Sequence, residues 1–444
     1  MQGFRFRNFI ATVFLCISAS LLLGQQTTTI IRGCDKSFAH KKVEFVVEDD
    51  FITELTTTLA TVQADSSGCF SVNLDLKQTT PVTIKFGKFS GLLYAEPLRD
   101  YELILPAFAS KSIADSLNPY FEPISFYFKI KNPVLPELND AIANFDGIYN
   151  HFISQYFSLI NKYKHYTKAD TLAPFMDSLF SDVKNQYFID YKNYSIAYLY
   201  TLTLLSNHKT IIKDYFLNRP ILYTNPAYTL LFNQLFKDYI PYYADSHEGK
   251  RIIADIAKAK SYHFAMETLG KNPVLRDETL RELVLIKGIY DGLASGDLPE
   301  SSNLQTLDSI QILSKIDMHK RIVDNIKRKT MVLATGTKIP SFELIDNNGN
   351  LVKSQELQGK FVYLTFINVN SYTALSELEA LHFLQKKYNE KLRVVTIAIG
   401  QGTMPQMSKV FRDKKYEFVL LDGTSNTILE KDFNLKASPT CYLT

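Results

Sequence analysis

The sequence predicts a multi-domain chain in which a small all-β sandwich, an irregular all-α middle region and a C-terminal α/β unit follow one another. Three observations predict it. Short β-branched segments separated by turn residues run from Thr27 to about Pro106, the apolar period changes from two to 3.6 between about Ala107 and Thr330, and strands alternate with helices from Ala334 onward. A length of 444 residues, with 46% hydrophobic and 21% charged positions, is ordinary globular material for about three such units. The expected boundaries are 1–24 for a leader, 27–106, 107–333 and 334–444.

The first residues decide the compartment. Arg5 and Arg7 precede an apolar run from Phe9 to Leu23, and Gly24 supplies a small residue at its end. This is the pattern of a cleaved secretory signal peptide, and the run is shorter than the roughly 20 apolar residues a spanning helix needs. Cys16 lies inside the run between Leu15 and Ile17 rather than after it, which argues against lipidation. The expected location is therefore the periplasm or cell envelope, with no transmembrane segment after cleavage. A formal charge of +3 and the absence of any Lys/Arg block give nucleic-acid binding no support.

In the first unit, Thr27 to Gly33, Lys42 to Val47, Thr57 to Gln63 and Phe70 to Leu76 read as strands. Asp65-Ser66-Ser67-Gly68 supplies a turn, and Leu93 to Pro97 and Tyr101 to Leu105 read as closing strands. The order of a strand ending at Arg32-Gly33, a later strand, then Ala64-Asp65 to Gly68-Cys69-Phe70 resembles the carboxypeptidase-regulatory-like β-domains. Without the leader, three cysteines remain, Cys34, Cys69 and Cys441, so at most one internal pair forms. Cys34 with Cys69 is the candidate disulfide. Sequence leaves it open, because pairing needs Cα atoms within about 7 Å.

The middle region is helical by its spacing. Leu138, Ile142, Phe145, Tyr149, Phe152 and Tyr156 share one helix face. Further helices are expected from Thr171 to Tyr191, Ser195 to Leu205, Lys250 to Leu269, Asp277 to Leu293 and Leu304 to Lys327, with Asp277 as an N-cap. Breaks fall at Arg219-Pro220, Asn225-Pro226 and Asn272-Pro273. Most of the 26 Tyr and 31 Phe match core spacing. Tyr239, Tyr242 and Tyr243, around Pro241, form the one aromatic cluster expected at the surface.

In the last unit, Phe342 to Ile345 and Leu351-Val352 flank Asp346-Asn347-Asn348-Gly349, a hairpin signal. Phe361 to Val369 suits a buried strand. Tyr372 to Tyr388 is an expected helix, Leu392 to Ile399 a strand, Pro405 to Lys415 a helix, Glu417 to Leu421 a strand, Thr427 to Phe433 a helix and Thr440 to Leu443 a last strand.

The entry Gly336 to Phe342, the hairpin, Leu357 to Phe366 and the tetrapeptide Ala437-Ser438-Pro439-Thr440 together resemble the TlpA-like thioredoxin family and its AhpC/TSA-type relatives, over about a quarter of the chain. The resemblance implies a cis-proline at Pro439 and, in redox-active members, two cysteines opening the helix after the first central strand. There the helix N-terminus lowers the pKa of the first thiol. Ser371 and Ala374 occupy those two positions, as Ser371-Tyr372-Thr373-Ala374. Ser371 is expected to cap the helix. Peroxidatic chemistry also lacks its cysteine, and no nearby His could make Ser371 a nucleophile. The family continues past this strand with a hairpin partner and a helix, so the resemblance implies a truncated C-terminus.

The remaining candidates read as structure. Cys441 is expected to be a buried small hydrophobe in a central strand. Glu379 and His382 share a helix face without further ligands, no paired metal-ligand spacing occurs, and no phosphate loop appears. No cofactor or metal is expected. The leading expectation is an exported, redox-inactive thioredoxin-like protein that binds a protein or peptide partner. The alternative is a thiol-disulfide oxidoreductase acting through other cysteines, and a third reading makes the helical region the working module.

Overall fold

The computed structural model describes residues 28–118, 121–163, 169–203, 207–257, 262–295, 300–331, 338–400, 402–424, 426–435 and 437–444. The leader read over residues 1–24 lies outside them, as do residues 332–337 at the entry to the last unit.

Alternating burial in the first unit is what a sheet with one covered face requires. Strands β1 (Thr29–Cys34), β2 (Lys42–Glu48), β3 (Thr56–Gln63), β4 (Cys69–Leu74), β5 (Thr80–Phe86), β6 (Phe89–Ala95) and β7 (Asp100–Ile104) divide between two sheets. Ile31, Phe45, Phe70, Ile84 and Leu93 fill the core between them. Two more strands, β8 (Ile124–Tyr127) and β9 (Lys129–Ile130), fall where sequence indicates the helical region. They pair with β6 and β7, giving the orders β4-β1-β7-β9 and β3-β2-β5-β6-β8. The segment stays extended because Phe126 and Phe128 pack against Phe86, which no local period announces. Before it, a short helix α1 (Ile113–Leu117) is closed by a capping box between Ser112 and Asp115.

The helical unit opens with α2 (Leu138–Tyr163), which buries Leu138, Ile142 and Phe145 and half-buries Tyr149, Phe152 and Tyr156. The single helix expected from Thr171 to Tyr191 is two, α3 (Ala169–Leu179) and α4 (Gln186–Thr203), and α4 also takes in the stretch expected from Ser195. Asn185 causes the break, its carboxamide oxygen accepting from the amides of Tyr187 and Phe188 and so starting a new helix. There follow α5 (His208–Tyr215), α6 (Pro226–Leu235), α7 (Tyr239–Ala244), α8 (Ile252–Ala257), α9 (Tyr262–Gly270) and α10 (Glu278–Ser295). Asp277 caps α10, accepting from the Leu280 amide at 2.7 Å.

The stretch from Leu304 also divides, into α11 (Glu300–Leu313) and α12 (Asp317–Met331). Ser314 separates them: its hydroxyl accepts from the Ile316 amide and donates to Glu282. Tyr239 and Tyr243 correct a surface expectation, because α7 turns them inward to 5% and 4% exposure. Only Tyr242, at 68%, remains at the surface.

The core of the helical unit includes Phe51, Ile52 and Tyr94 from the β-unit. Polar groups cross the same boundary: Asn325 donates to Asp50 at 2.7 Å, and the Asn139 carboxamide both accepts from and donates to the Tyr94 backbone. Buried polar partners of this kind fix one docking geometry, because a shifted interface would leave them unsatisfied.

The last unit contains β10 (Glu343–Asp346), β11 (Leu351–Lys353), β12 (Phe361–Ile367), α13 (Ala374–Tyr388), β13 (Leu392–Ala398), α14 (Thr403–Lys414), β14 (Val419–Asp422), α15 (Thr427–Asp432) and β15 (Thr440–Leu443). They build a six-stranded sheet of order β11-β10-β14-β13-β12-β15. Strands β12, β13 and β14 are mutually parallel, and β15 returns antiparallel to β12. The apolar runs of β12 and β13 follow from cover on both faces. Ala374, Leu378, Met407 and Phe411 cover one face, from α13 and α14, and Leu429 and Phe433 cover the other. The β10–β11 turn is longer than a two-residue Asn-Gly hairpin: Asp346 accepts from the amides of Asn348 and Asn350, and Gly349 takes a left-handed φ of 88°. No helix among the described residues is long and apolar enough to cross a membrane.

Candidate functional site

The end of β12 and the turn before β15 meet over the start of α13. Sequence places Ser371 and Ala374 at the opening of that helix and Pro439 opposite, and the Ser438–Pro439 peptide is cis. Ser371 Oγ donates to the carbonyl oxygen of Ser438 at 2.7 Å. This corrects the expected cap. The residue in capping position is Thr373, whose side chain makes no cap bond, while the Ser371 hydroxyl is drawn across to the proline turn. Ala374 is fully buried under the sheet and joins the core with Leu378. Tyr372, between them, is wholly exposed at 101%.

Asn368 ties the site together, and sequence reasoning missed it. Its backbone amide donates to Ser438 Oγ at 2.6 Å, and its side-chain oxygen accepts from the Asn370 amide at 3.0 Å. Gly400, with φ at 81°, lies against its carboxamide; a Cβ there would stand 2.4 Å from Asn368 Nδ2. Three loops therefore converge on one asparagine. The available signal was Asn-x-Asn directly after an apolar strand, a pairing of turn residues that holds local backbone amides.

The site opens into a cavity of about 500 Å³ whose lining includes Asn368, Asn370, Gly400, Ala437 and Ser438 from the last unit. Lys111, Ile113 and Ser116 of the α1 segment form the facing wall. Glu430 lies at its edge. Burial lifts its carboxyl above the usual range and Glu44 adds to the rise, while Lys111 and Lys42 oppose it.

The cysteines lie elsewhere. Cys34 and Cys69 are directly opposite in the β1–β4 register and form a disulfide, with Cα atoms 4.1 Å apart and Cys34 exposed. Cys441 is exposed on β15, not buried in a central strand, because among the described residues β15 pairs only with β12 and forms the edge of the sheet. Its sulfur nonetheless sits 3.3 Å from Thr365 Oγ1 and 3.5 Å from Glu377 Oε1. Although the residue is exposed overall, desolvation around its sulfur pushes the thiol pKa up, and Glu377 reinforces this against the hydrogen bonds from Thr365 and Tyr363.

The site presents hydroxyl and amide donors and carbonyl acceptors. Ser371 Oγ donates to the Ser438 carbonyl and lies 3.3 Å from the hydroxyl of Thr373. Glu379 pairs with Lys414 at 3.0 Å and His382 packs on the ring of Tyr416, so their shared face holds no ligand set. Among the described residues no group of three His, Cys, Asp or Glu side chains could hold a metal ion.

No protein-family model and no curated protein matches the chain. Solved structures similar to part of it include the thioredoxin domain of a thiol-disulfide oxidoreductase from Bacteroides vulgatus, at 17% identity over 25% of this chain and 81% of that one, with a TM-score of 0.24. A thiol:disulfide interchange protein DsbE from Chlorobium tepidum is 25% identical over 25% and 77%, with a TM-score of 0.23. An exposed lipoprotein thioredoxin from Streptococcus pneumoniae is 18% identical over 23% and 80%, with a TM-score of 0.21. The strand order of the last unit, its parallel β12-α13-β13 crossover and the cis-proline turn beside the start of α13 give that unit a thioredoxin-like fold.

Proposed function

We propose that the chain is an exported thioredoxin-like protein of the cell envelope that binds a protein or peptide partner at the Ser371–Pro439 face without dithiol chemistry. The observation that carries this reading is the bond from Ser371 Oγ to the Ser438 carbonyl, which puts a hydroxyl donor, already engaged, where redox relatives place a reactive thiol. Tyr372, one residue after Ser371, supports it: a fully exposed ring supplies apolar area and a hydroxyl, the combination enriched among residues that anchor interfaces. Export rests on the basic-apolar leader and agrees with a disulfide, which persists in oxidising compartments.

One observation favours the alternative of thiol-disulfide exchange through other cysteines, namely that the Cys34–Cys69 disulfide is open to solvent on the Cys34 side. A photo-crosslinking residue at position 372 of the full chain, expressed with its leader, separates the two. Binding at the face predicts adducts that survive reductant. Adducts that form through Cys34 or Cys69 and vanish on reduction would favour exchange.

A further inference from the structure

The helical unit holds a second cavity, of about 320 Å³, remote in sequence from the Ser371–Pro439 face. Asp146, Tyr149, Tyr191 and Tyr198 line it, and exposed Asn150 and Leu230 mark where it meets solvent. Asp146 projects from α2 and accepts from Tyr191 at 2.9 and 3.0 Å and from Tyr127 at 2.6 Å. Those hydroxyls are the groups that act on it. Among the described residues no Lys, Arg or His forms an ion pair with it.

Asp146 is half-buried, so its carboxylate is only partly solvated, and without a cation the hydroxyl donors offset only part of what it loses. Burial accordingly holds the Asp146 carboxyl above the usual range, with the two tyrosine bonds working against the rise. An ionised carboxylate has about four lone-pair sites, so acceptor capacity remains toward the cavity. Tyrosine rings attract cations through their quadrupoles. A negative group lacking a counterion, in a cavity walled by tyrosines, calls for an organic cation. A primary ammonium suits it best, because three N–H donors can use the open acceptor sites while an alkyl stem lies along Ile153 and Leu230.

We propose that this cavity binds a primary alkylammonium group, as carried by a lysine side chain or a free amine, with Asp146 as its counterion. The test is calorimetric titration of the full chain with three probes: N-acetyl-lysine methylamide, n-butylammonium and the neutral N-acetyl-norleucine methylamide. Saturable binding of an ammonium probe is expected, with the norleucine probe at least tenfold weaker than the lysine probe. Asp146→Asn, which keeps the shape and the acceptor for Tyr127, is expected to weaken ammonium binding at least tenfold. Tyr198→Ala, a change at the wall that removes no charge, is expected to weaken it at least threefold and serves if Asp146→Asn fails to fold. Stronger binding of the lysine probe than of butylammonium assigns the site to a protein side chain, and the reverse assigns it to a free amine. The proposal is overturned if neither ammonium probe binds, if the norleucine probe binds as well as the lysine probe, or if Asp146→Asn binds ammonium undiminished.

Discussion

Ser371 Oγ lies 2.7 Å from the carbonyl oxygen of Ser438, the residue joined by a cis peptide to Pro439, so a hydroxyl bridges two loops 67 positions apart in the chain. The bond is half-buried, and removing its donor leaves a carbonyl with one fewer partner. Ser371→Ala is therefore expected to destabilise the last unit by about 1 kcal/mol. Ser438→Ala should cost more, about 1–3 kcal/mol, because it strips the acceptor from the Asn368 amide. Denaturant titrations of the full chain, followed by a fluorophore in this unit, would read both.

Tyr372 gives the opposite signature. Being wholly exposed, it contributes little to the fold, so Tyr372→Ala should leave stability within about 0.5 kcal/mol of the parent. Partner capture at the Ser371–Pro439 face should fall at least about tenfold, roughly 1.4 kcal/mol, as expected for an aromatic anchor. An unchanged affinity with unchanged stability would place the interface elsewhere.

The Cys34–Cys69 disulfide closes a loop with a sequence separation of 35. Replacing both cysteines by serine should lower the stability of the β-unit by about 3–4 kcal/mol, since the unfolded chain regains the entropy of that loop. Thermal melts of parent and variant, run without reductant, measure the difference. Adding reductant to the parent should reproduce it.

The helical unit carries a buried pH dependence. Burial alone would raise the Glu282 carboxyl, but hydrogen bonds from His319, Ser314 and Tyr262 outweigh it and hold the carboxyl below the usual carboxylate range. A depressed folded pKa adds stability that is present above the unfolded value and is lost as pH falls through the folded one. Glu282→Gln should therefore destabilise the unit more at neutral pH than in acid, because the parent loses the carboxylate's contribution as pH falls through its depressed folded pKa. Melting curves across that range test the sign.

What the sequence discloses follows the physics of each element. Strands β12 and β13 are legible because cover on both faces makes them unbroken apolar runs, and Ser371, Ala374 and Pro439 can be placed once those strands are fixed. The breaks at Asn185 and Ser314 are not legible. Each is made by one polar side chain taking a backbone amide, with no proline or glycine to announce it. Strands β8 and β9 escape notice because their partners lie more than 20 residues upstream.

The same limit applies at the site. That Ser371 bonds to Ser438 rather than capping α13 depends on where a distant turn arrives, and the exposure of Cys441 depends on β15 taking the edge of the sheet. The inward turn of Tyr239 and Tyr243 likewise reflects the packing of α7, with Tyr243 donating to the carbonyl of Thr268.

The central proposal is that this thioredoxin-like unit works by binding, without disulfide chemistry of its own, and a disulfide-reduction assay on the purified full chain tests it most directly. With dithiothreitol as electron donor and insulin as substrate, the parent should match the background rate. The double variant Ser371→Cys, Ala374→Cys, which restores a thiol pair at the start of α13, should exceed it and show a first thiol more acidic than an ordinary cysteine. Steady reduction by the parent, abolished by thiol blocking, would contradict the account.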